Sequence, residues 1–370
     1  MNDEKIQHDD PYFIKNSFLF QHFGNNKIKK RDVQPMSDKQ NTELTAAEIA
    51  QLWSAYLNSS MCNCIFTYFL NAIEDQELQS MLQDSIQLTE THLQKLTGFF
   101  ENEGLSVPHG FKAEEDVRED APQLFSENFS LHFFYNIAMF AVNFYALSKT
   151  LSVRSDIQEY FNNCLMEINE YETKLKKMLL NRGLYMRSPL VIPVKETSFV
   201  ESKKFMGGMF GDKRPPNVIE ITNIYMNLKR NAMGKTIMVG FSQVAQSKEV
   251  GQFMVRGRDI AAKHTKVFAG MLEESYLPVS MSWDMEVTDS TVPPFSDKLM
   301  MFMTTSLIAL SAGIYATSAA ASARKDISIN YIRLSGEIAN FAEDGANILI
   351  KNGWFEEPPH PADHDELANR

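Results

Sequence analysis

The chain has 370 residues, 44% of them apolar and 22% charged, and its 36 Lys and Arg against 47 Asp and Glu give a net charge of −11. Such a chain is an ordinary globular protein of about two domains, and its acidity excludes the basic surface that nucleic-acid binding needs. Three cysteines without a Cys-x-x-Cys pair exclude a disulfide framework and favour a reducing, cytoplasmic location.

The first predicted element is a flexible N-terminal extension over residues 1–41, which are rich in Asn, Asp, Lys and Gln. The start, MNDEKIQHDD, lacks the apolar run of a signal peptide. Order begins at Thr45 and Glu48, which are spaced as a capping box. Apolar residues then recur at helical spacing, and further helices are predicted over about 77–103, 126–153 and 156–181. Four long helices predict a bundle over residues 42–190.

The second half of the chain repeats the first. Sliding the sequence by 172 positions, and by 170 after the long loop, aligns residues of the same type in one register. The aligned pairs include Glu48 with Glu220, Phe69 with Phe241, His92 with His264, and Glu167 with Glu337. We therefore predict a second bundle over residues 217–358, preceded by a linker over 191–216 and followed by a polar tail over 359–370.

The loop lengths predict the order in which the helices pack. In each copy the second and third helices are separated by about 20 residues, enough at about 3.3 Å per residue to run the length of a helix. The other connections are too short for this. The fold class is therefore all-α, a tandem duplication of a ferritin-like four-helix bundle with one long crossover loop per bundle.

Seven segments carry a resemblance to a known family: LTAAEIA at 44–50, VPHGF at 107–111, GFSQVA at 240–245, WDMEVTDS at 283–290, PPFSDKLMM at 293–301, AEDGAN at 342–347 and NGW at 352–354. Over about residues 42–360 the chain resembles DUF3231, a duplicated family of endospore-forming bacteria. The resemblance implies a ferritin-like fold and a relation to spore coat protein F. It implies no reaction, because none is assigned to the family.

The sequence lacks the ligand set of a ferritin-like di-iron centre. Such a centre needs one Glu from each of two helices and a Glu-x-x-His from each of the other two. Thr89 stands three residues before His92, and Ala261 stands three residues before His264. We therefore predict no intact di-iron oxidase and favour a non-enzymatic protein.

Polar residues shared by the two copies nevertheless meet at mid-bundle height when positions are counted along the helices. His92 is level with Glu167, His264 is level with Glu337, and Glu170 lies one turn beyond Glu167. The prediction is a buried His–Glu hydrogen bond in each copy. The alternative is that these five residues are ligands of a reduced site for a single divalent metal, Fe, Mn or Zn, in each bundle.

Residues 299–323 contain no charged side chain and are long enough to cross a bilayer. Their Ser, Thr and Ala content and their place as a bundle helix predict instead a helix buried between the two bundles, without a transmembrane segment.

Three functions stay open. The first is a structural or interaction protein of spore-forming cells, with protein partners or self-association and a spore or forespore location. The second is a metal-binding or redox protein, and the third is a carrier of an apolar ligand.

Overall fold

A computed structural model describes residues 43–192, 195–208, 213–279 and 283–361, together with Ala368. These residues form eight α-helices of 25–27 residues, one short α-helix and two 3₁₀ helices, which confirms the all-helical prediction for this part of the chain. In chain order the α-helices are α1 (Ala46–Ala72), α2 (Gln76–Asn102), α3 (Ala113–Asp116), α4 (Glu127–Leu151), α5 (Ser155–Asn181), α6 (Val218–Val244), α7 (Lys248–Glu273), α8 (Asp297–Ala321) and α9 (Lys325–Lys351). The predicted N-terminal extension and most of the predicted tail lie outside the described residues.

Side-chain caps set the helix starts that the sequence predicts. Thr45 and Glu48 form a capping box at the start of α1, and Asn217 and Glu220 form the equivalent box at α6. Each pair satisfies backbone N–H groups that have no partner inside the helix. The predicted capping box of α1 is therefore confirmed, and α6 repeats it.

The helices form two sets, repeat 1 (α1–α5) and repeat 2 (α6–α9), and in each set consecutive long helices pack as hairpins. The Glu127 carboxylate at the start of α4 accepts hydrogen bonds from the backbone N–H groups of Glu74 and Asp75, at 2.6 and 3.0 Å. The start of α4 therefore lies beside the start of α2, and the two helices run parallel. Asp297 makes the same contact with the residues before α7.

The long loops of the two repeats pair with each other across an approximate two-fold axis. Val117 of the first loop forms an antiparallel bridge with Phe295, and Phe125 forms one with Val287. These four residues are equivalent in pairs, because Val117 corresponds to Val287 and Phe125 to Phe295 at an offset of 170. The contact is therefore of the self-complementary kind found in two-fold dimers.

A close approach of backbone to ring joins the two repeats. A β-carbon added to Gly240 of α6 would lie 2.6 Å from the Phe125 ring of repeat 1. Only glycine leaves room for that ring. The main cluster of buried apolar residues accordingly runs through both repeats, and a smaller cluster lies within repeat 1.

The charge-free helix α8 differs from its prediction. Its first half is buried and includes Leu299, Met300 and Met303. Over its most apolar 18-residue stretch, however, only 39% is buried, and Leu310 is 43% exposed. The prediction of a helix buried all round between two bundles is therefore wrong for the second half. Ala, Gly, Ser and Thr prevail there and expose little apolar surface. Within the described ranges, α8 is the one helix long and apolar enough to span a membrane.

Candidate functional site

The structure brings His92 of α2 and Glu167 of α5 together. His92 Nε2 lies 2.9 Å from Glu167 Oε2, and the imidazole is buried, whereas 39% of the Glu167 side chain is exposed. Burial lowers the pKa of His92, and the hydrogen bond and charge of Glu167 offset only part of this effect. The ring is therefore neutral near pH 7, with its Nε2–H donating to the carboxylate.

The equivalent pair in repeat 2 is part of a larger network. His264 Nε2 lies 3.1 Å from Glu337 Oε2, and its Nδ1 lies 3.0 Å from the Tyr315 hydroxyl. The Lys263 ammonium donates to the other oxygen of Glu337 at 2.7 Å. Every polar atom of this imidazole has a partner, so the group forms a closed and satisfied polar core.

Glu170, the third predicted ligand of repeat 1, does not join the site. It is exposed on α5, whereas Cys164 on the same helix is buried next to His92. The reason is rotational, because six residues at 3.6 per turn place Glu170 about 120° around the helix from Cys164. Glu170 therefore lies outside the group formed by His92, Cys164 and Glu167.

Cys164 is the member of the site that the sequence analysis missed. Its Sγ lies 3.8 Å from His92 Nε2, and one donor atom each from His92, Cys164 and Glu167 lies within 4.8 Å of the other two. Burial raises the pKa of the thiol to about 12. The available signal was the Cys-x-x-Glu spacing, which places both side chains on one face of α5.

A cavity of about 430 Å³ opens beside this group. Its walls come from α1, α2, α4 and α5 of repeat 1, and α8 of repeat 2 completes them. The lining is mostly apolar and includes Ile65, Phe133, Ile137, Phe144, Ile168 and Leu307. Its polar lining includes His92, Cys164 and Tyr145, and we call these three residues the polar wall. A volume of about 300–1,000 Å³ with apolar walls and few polar groups is typical of small-molecule sites.

Repeat 2 has only a small space at the equivalent place. That cavity measures about 60 Å³ and is lined by Met233, Ile237 and Ile338, which correspond to Met61, Ile65 and Ile168 of the large cavity. Tyr315 of repeat 2 is equivalent to Tyr145. Its hydroxyl lies 3.0 Å from His264 Nδ1 and accepts a hydrogen bond from the side-chain amide of Asn231. The two repeats have therefore diverged, and the large cavity belongs to repeat 1.

Comparisons with known proteins agree with the duplication. The family model described as "Protein of unknown function (DUF3231)" matches twice, over residues 35–196 and 204–367. A crystal structure of a "putative spore coat protein" from Bacillus halodurans is 19% identical, with a TM-score of 0.38, covering 42% of this chain and 99% of its own. No curated protein matches the sequence. The two matches of one family model confirm the predicted tandem repeat.

Proposed function

We propose that this chain, which belongs to the DUF3231 family, binds a small apolar molecule in the cavity of repeat 1. The observation that carries the proposal is the cavity itself, about 430 Å³ with apolar walls. Protein interiors are close-packed, and a hollow of this size forfeits contacts that a filled core would have. An apolar ligand would restore those contacts, and the equivalent space in repeat 2, about 60 Å³, is too small for such a ligand.

The polar wall of the cavity favours an uncharged ligand. His92 is neutral, and burial raises the pKa values of both the Cys164 thiol and the Tyr145 hydroxyl. An anionic head group placed there would lie in a low dielectric near the Glu167 carboxylate and without a counter-ion, which is costly. A hydroxyl or carbonyl group could instead hydrogen-bond to these side chains. Leu310 lines the cavity and is partly exposed, so the ligand would enter along α8.

Filling the cavity should abolish this binding. Ala141 lines the cavity on α4, and we expect Ala141→Phe to weaken binding of the neutral fluorescent probe 1-aminoanthracene at least tenfold, which is about 1.4 kcal/mol. Fluorescence titration of the purified full-length protein, stripped of bound lipid, measures this affinity. Native mass spectrometry of protein that has not been stripped reports any ligand retained from the cell.

The matched control is Ala50→Phe on α1, where the side chain is exposed and does not line the cavity. It should bind the probe as the wild type does. Circular dichroism establishes that both variants fold. A wild-type protein that binds neither the probe nor a cellular ligand, or an Ala141→Phe variant with unchanged affinity, would contradict the proposal.

A finer architecture belongs to the same proposal, namely that each repeat is a ferritin-like four-helix bundle. Its support is the order of contacts in each repeat, with two hairpins joined by one long crossover and parallel α2 and α4. This arrangement is the ferritin-like one among four-helix bundles. Such bundles place ligand and metal sites between facing helices, where the cavity lies.

A role as a structural or interaction protein of sporulating cells is the second proposal, and its support is the resemblance of residues 42–360 to a family of endospore-forming bacteria. A fluorescent fusion should then concentrate at the forespore or the spore surface during sporulation. Fluorescence microscopy through sporulation measures this. A fusion that stays diffuse in the mother cell throughout would contradict the role and leave ligand binding unaffected.

A further inference from the structure

We propose that His92, Cys164 and Glu167 form a site in repeat 1 for one divalent metal ion with the ligand preferences of zinc. The three side chains offer one nitrogen, one sulfur and one oxygen donor from two rigid helices. This combination is the one from which protein zinc sites are built. The inference is independent of the apolar ligand, because it concerns the side chains of the wall rather than the hollow.

The distances between the donor atoms are close to those of a tetrahedral site. His92 Nε2 lies 2.9 Å from the Glu167 oxygen and 3.8 Å from the Cys164 sulfur, and no pair of donors exceeds 4.8 Å. Donors around tetrahedral zinc are about 3.3–3.8 Å apart, because the bonds to the metal are about 2.0–2.3 Å long. Small side-chain rotations therefore suffice to admit the ion.

The surroundings provide a fourth coordination position and select the metal. His92 and Cys164 both line the cavity, from which a water molecule can approach, and Glu167 faces partly to solvent. Thiolate and imidazole favour zinc-like ions over magnesium and calcium, which prefer oxygen donors. Three protein ligands and one open position describe a zinc site that exchanges its fourth ligand.

Binding is a proton exchange without a redox step. The metal–sulfur bond forms as the Cys164 thiol loses its proton to the buffer, and the metal replaces the His92 proton shared with Glu167. The proton displaced from Nε2 is taken up at Nδ1, so the imidazole binds the metal in its neutral form and only the thiol proton is released. No oxidant or reductant takes part.

Repeat 2 lacks this site and provides an internal control. Leu334 occupies the position of Cys164, and one oxygen of Glu337 already accepts a hydrogen bond from Lys263. His264 is further held by Tyr315. The sulfur donor is missing and the other groups are engaged, so repeat 2 should bind no metal of this class.

The test is a titration of the chelator-treated full-length protein with Co²⁺, which replaces zinc and reports thiolate ligands by a near-ultraviolet charge-transfer band. We expect one equivalent of Co²⁺ to produce the band and Zn²⁺ to remove it. Cys164→Ser should abolish the band, and Glu167→Gln should weaken binding at least tenfold. Glu337→Gln, the change in repeat 2 that matches Glu167→Gln, should leave the affinity unchanged.

Three results would overturn the site. The first is a wild-type protein that gives no band with Co²⁺. The second is a band that survives in Cys164→Ser but is lost when Cys62 and Cys64 are replaced, which would assign it to those thiols. Glu167 is partly exposed, so Glu167→Gln is expected to fold even if Cys164→Ser does not, and unchanged Co²⁺ affinity in this variant would also refute the proposal. Probe binding in the cavity is measured separately, so either proposal can fail alone.

Discussion

Replacing Glu220 by alanine should lower the free energy of unfolding by about 3–5 kcal/mol, the largest effect expected from a single substitution in this chain. The equivalent change, Glu48→Ala, should have an effect of similar size. Both carboxylates are buried, at 0% and 1% exposed, yet each is completely surrounded by donors. Removing the acceptor leaves those donors buried and unpaired, which costs more than the hydrogen bonds themselves contribute.

Each of these carboxylates caps two helices. Glu48 accepts hydrogen bonds from the backbone and hydroxyl of Thr45 at 2.9 and 2.8 Å, at the start of α1. Its other oxygen accepts from the backbone N–H groups of Val153 and Arg154, at 2.9 and 2.8 Å, at the start of α5. The residue therefore ties together two helix N-termini that are about a hundred positions apart in the chain, where a negative charge is favoured.

Glu220 repeats this arrangement and adds a buried ion pair. It accepts from the backbone N–H groups of Asn217 and Arg324, both at 2.8 Å, and from both terminal nitrogens of Arg214, at 2.8 and 2.9 Å. Paired, two-point contacts of this kind are the stronger form of a salt bridge. Loss of Glu220 would leave the guanidinium of Arg214, which is 20% exposed, without its carboxylate partner.

Urea-induced unfolding followed by circular dichroism measures both effects. Glu249→Ala is the control, because the Glu249 side chain is 41% exposed and pairs with Lys351 at the surface, so its loss should cost less than about 1 kcal/mol. Equal losses for Glu220→Ala and the control would refute the double-cap interpretation.

Burial opposes ionisation of both Glu48 and Glu220, but their hydrogen bonds outweigh it and lower both pKa values. Their stabilisation should therefore fade as the pH falls below about 4.5.

The helices, caps and repeat were predictable because their signals are local. A capping box joins residues three apart, and helical periodicity is visible within a dozen residues. The level of His92 and Glu167 was predictable for a related reason, since helix rise converts residue counts into heights. The second partners of Glu48 were not, because Val153 and Arg154 lie far away in sequence and leave no local pattern.

The cavity and its cysteine show the limit of the same approach. A cavity is defined by volume that side chains from five helices do not fill, and no residue pattern records an unfilled volume. In the sequence, Cys164 is indistinguishable from any other small apolar residue on the buried face of α5. Its role follows only from the structure, which places it next to His92. Glu170 was predicted as a ligand from its height along α5. A suitable height does not ensure that the side chain lies on the face of the helix that carries the site.

The second large effect concerns pH and lies at the contact between the repeats. His132 of α4 is buried, its ring centre is 5.2 Å from that of Trp283, and within the described residues its Nδ1 has no hydrogen-bond partner. Burial, with a further contribution from the charge of Lys229, lowers the pKa of His132 to about 4. Lys229 itself is held against the rings of Tyr135 and Tyr185. Protonation of His132 would thus add a second positive charge to a buried site.

Because the folded pKa of His132 lies below the unfolded value of 6.5, the unfolded chain binds a proton that the folded chain refuses. The free energy of unfolding should therefore fall as the pH drops from about 6.5 to about 4, with a contribution near 3 kcal/mol from His132. Repeat 2 has a phenylalanine, Phe302, at the position equivalent to His132. The substitution His132→Phe should therefore be tolerated and should remove this contribution. At pH 5 the variant should lose about 2 kcal/mol less than the wild type relative to pH 8.

Urea titrations at several pH values between 4.5 and 8 measure the slope for each protein. His360→Gln, at a side chain that is 67% exposed, should keep the wild-type slope. Burial also lowers the pKa values of His92 and His264, so some pH dependence in the same direction should remain in His132→Phe. A His132→Phe variant as acid-sensitive as the wild type would show that His132 accepts its proton in the folded state, and that the contact between the repeats tolerates the charge.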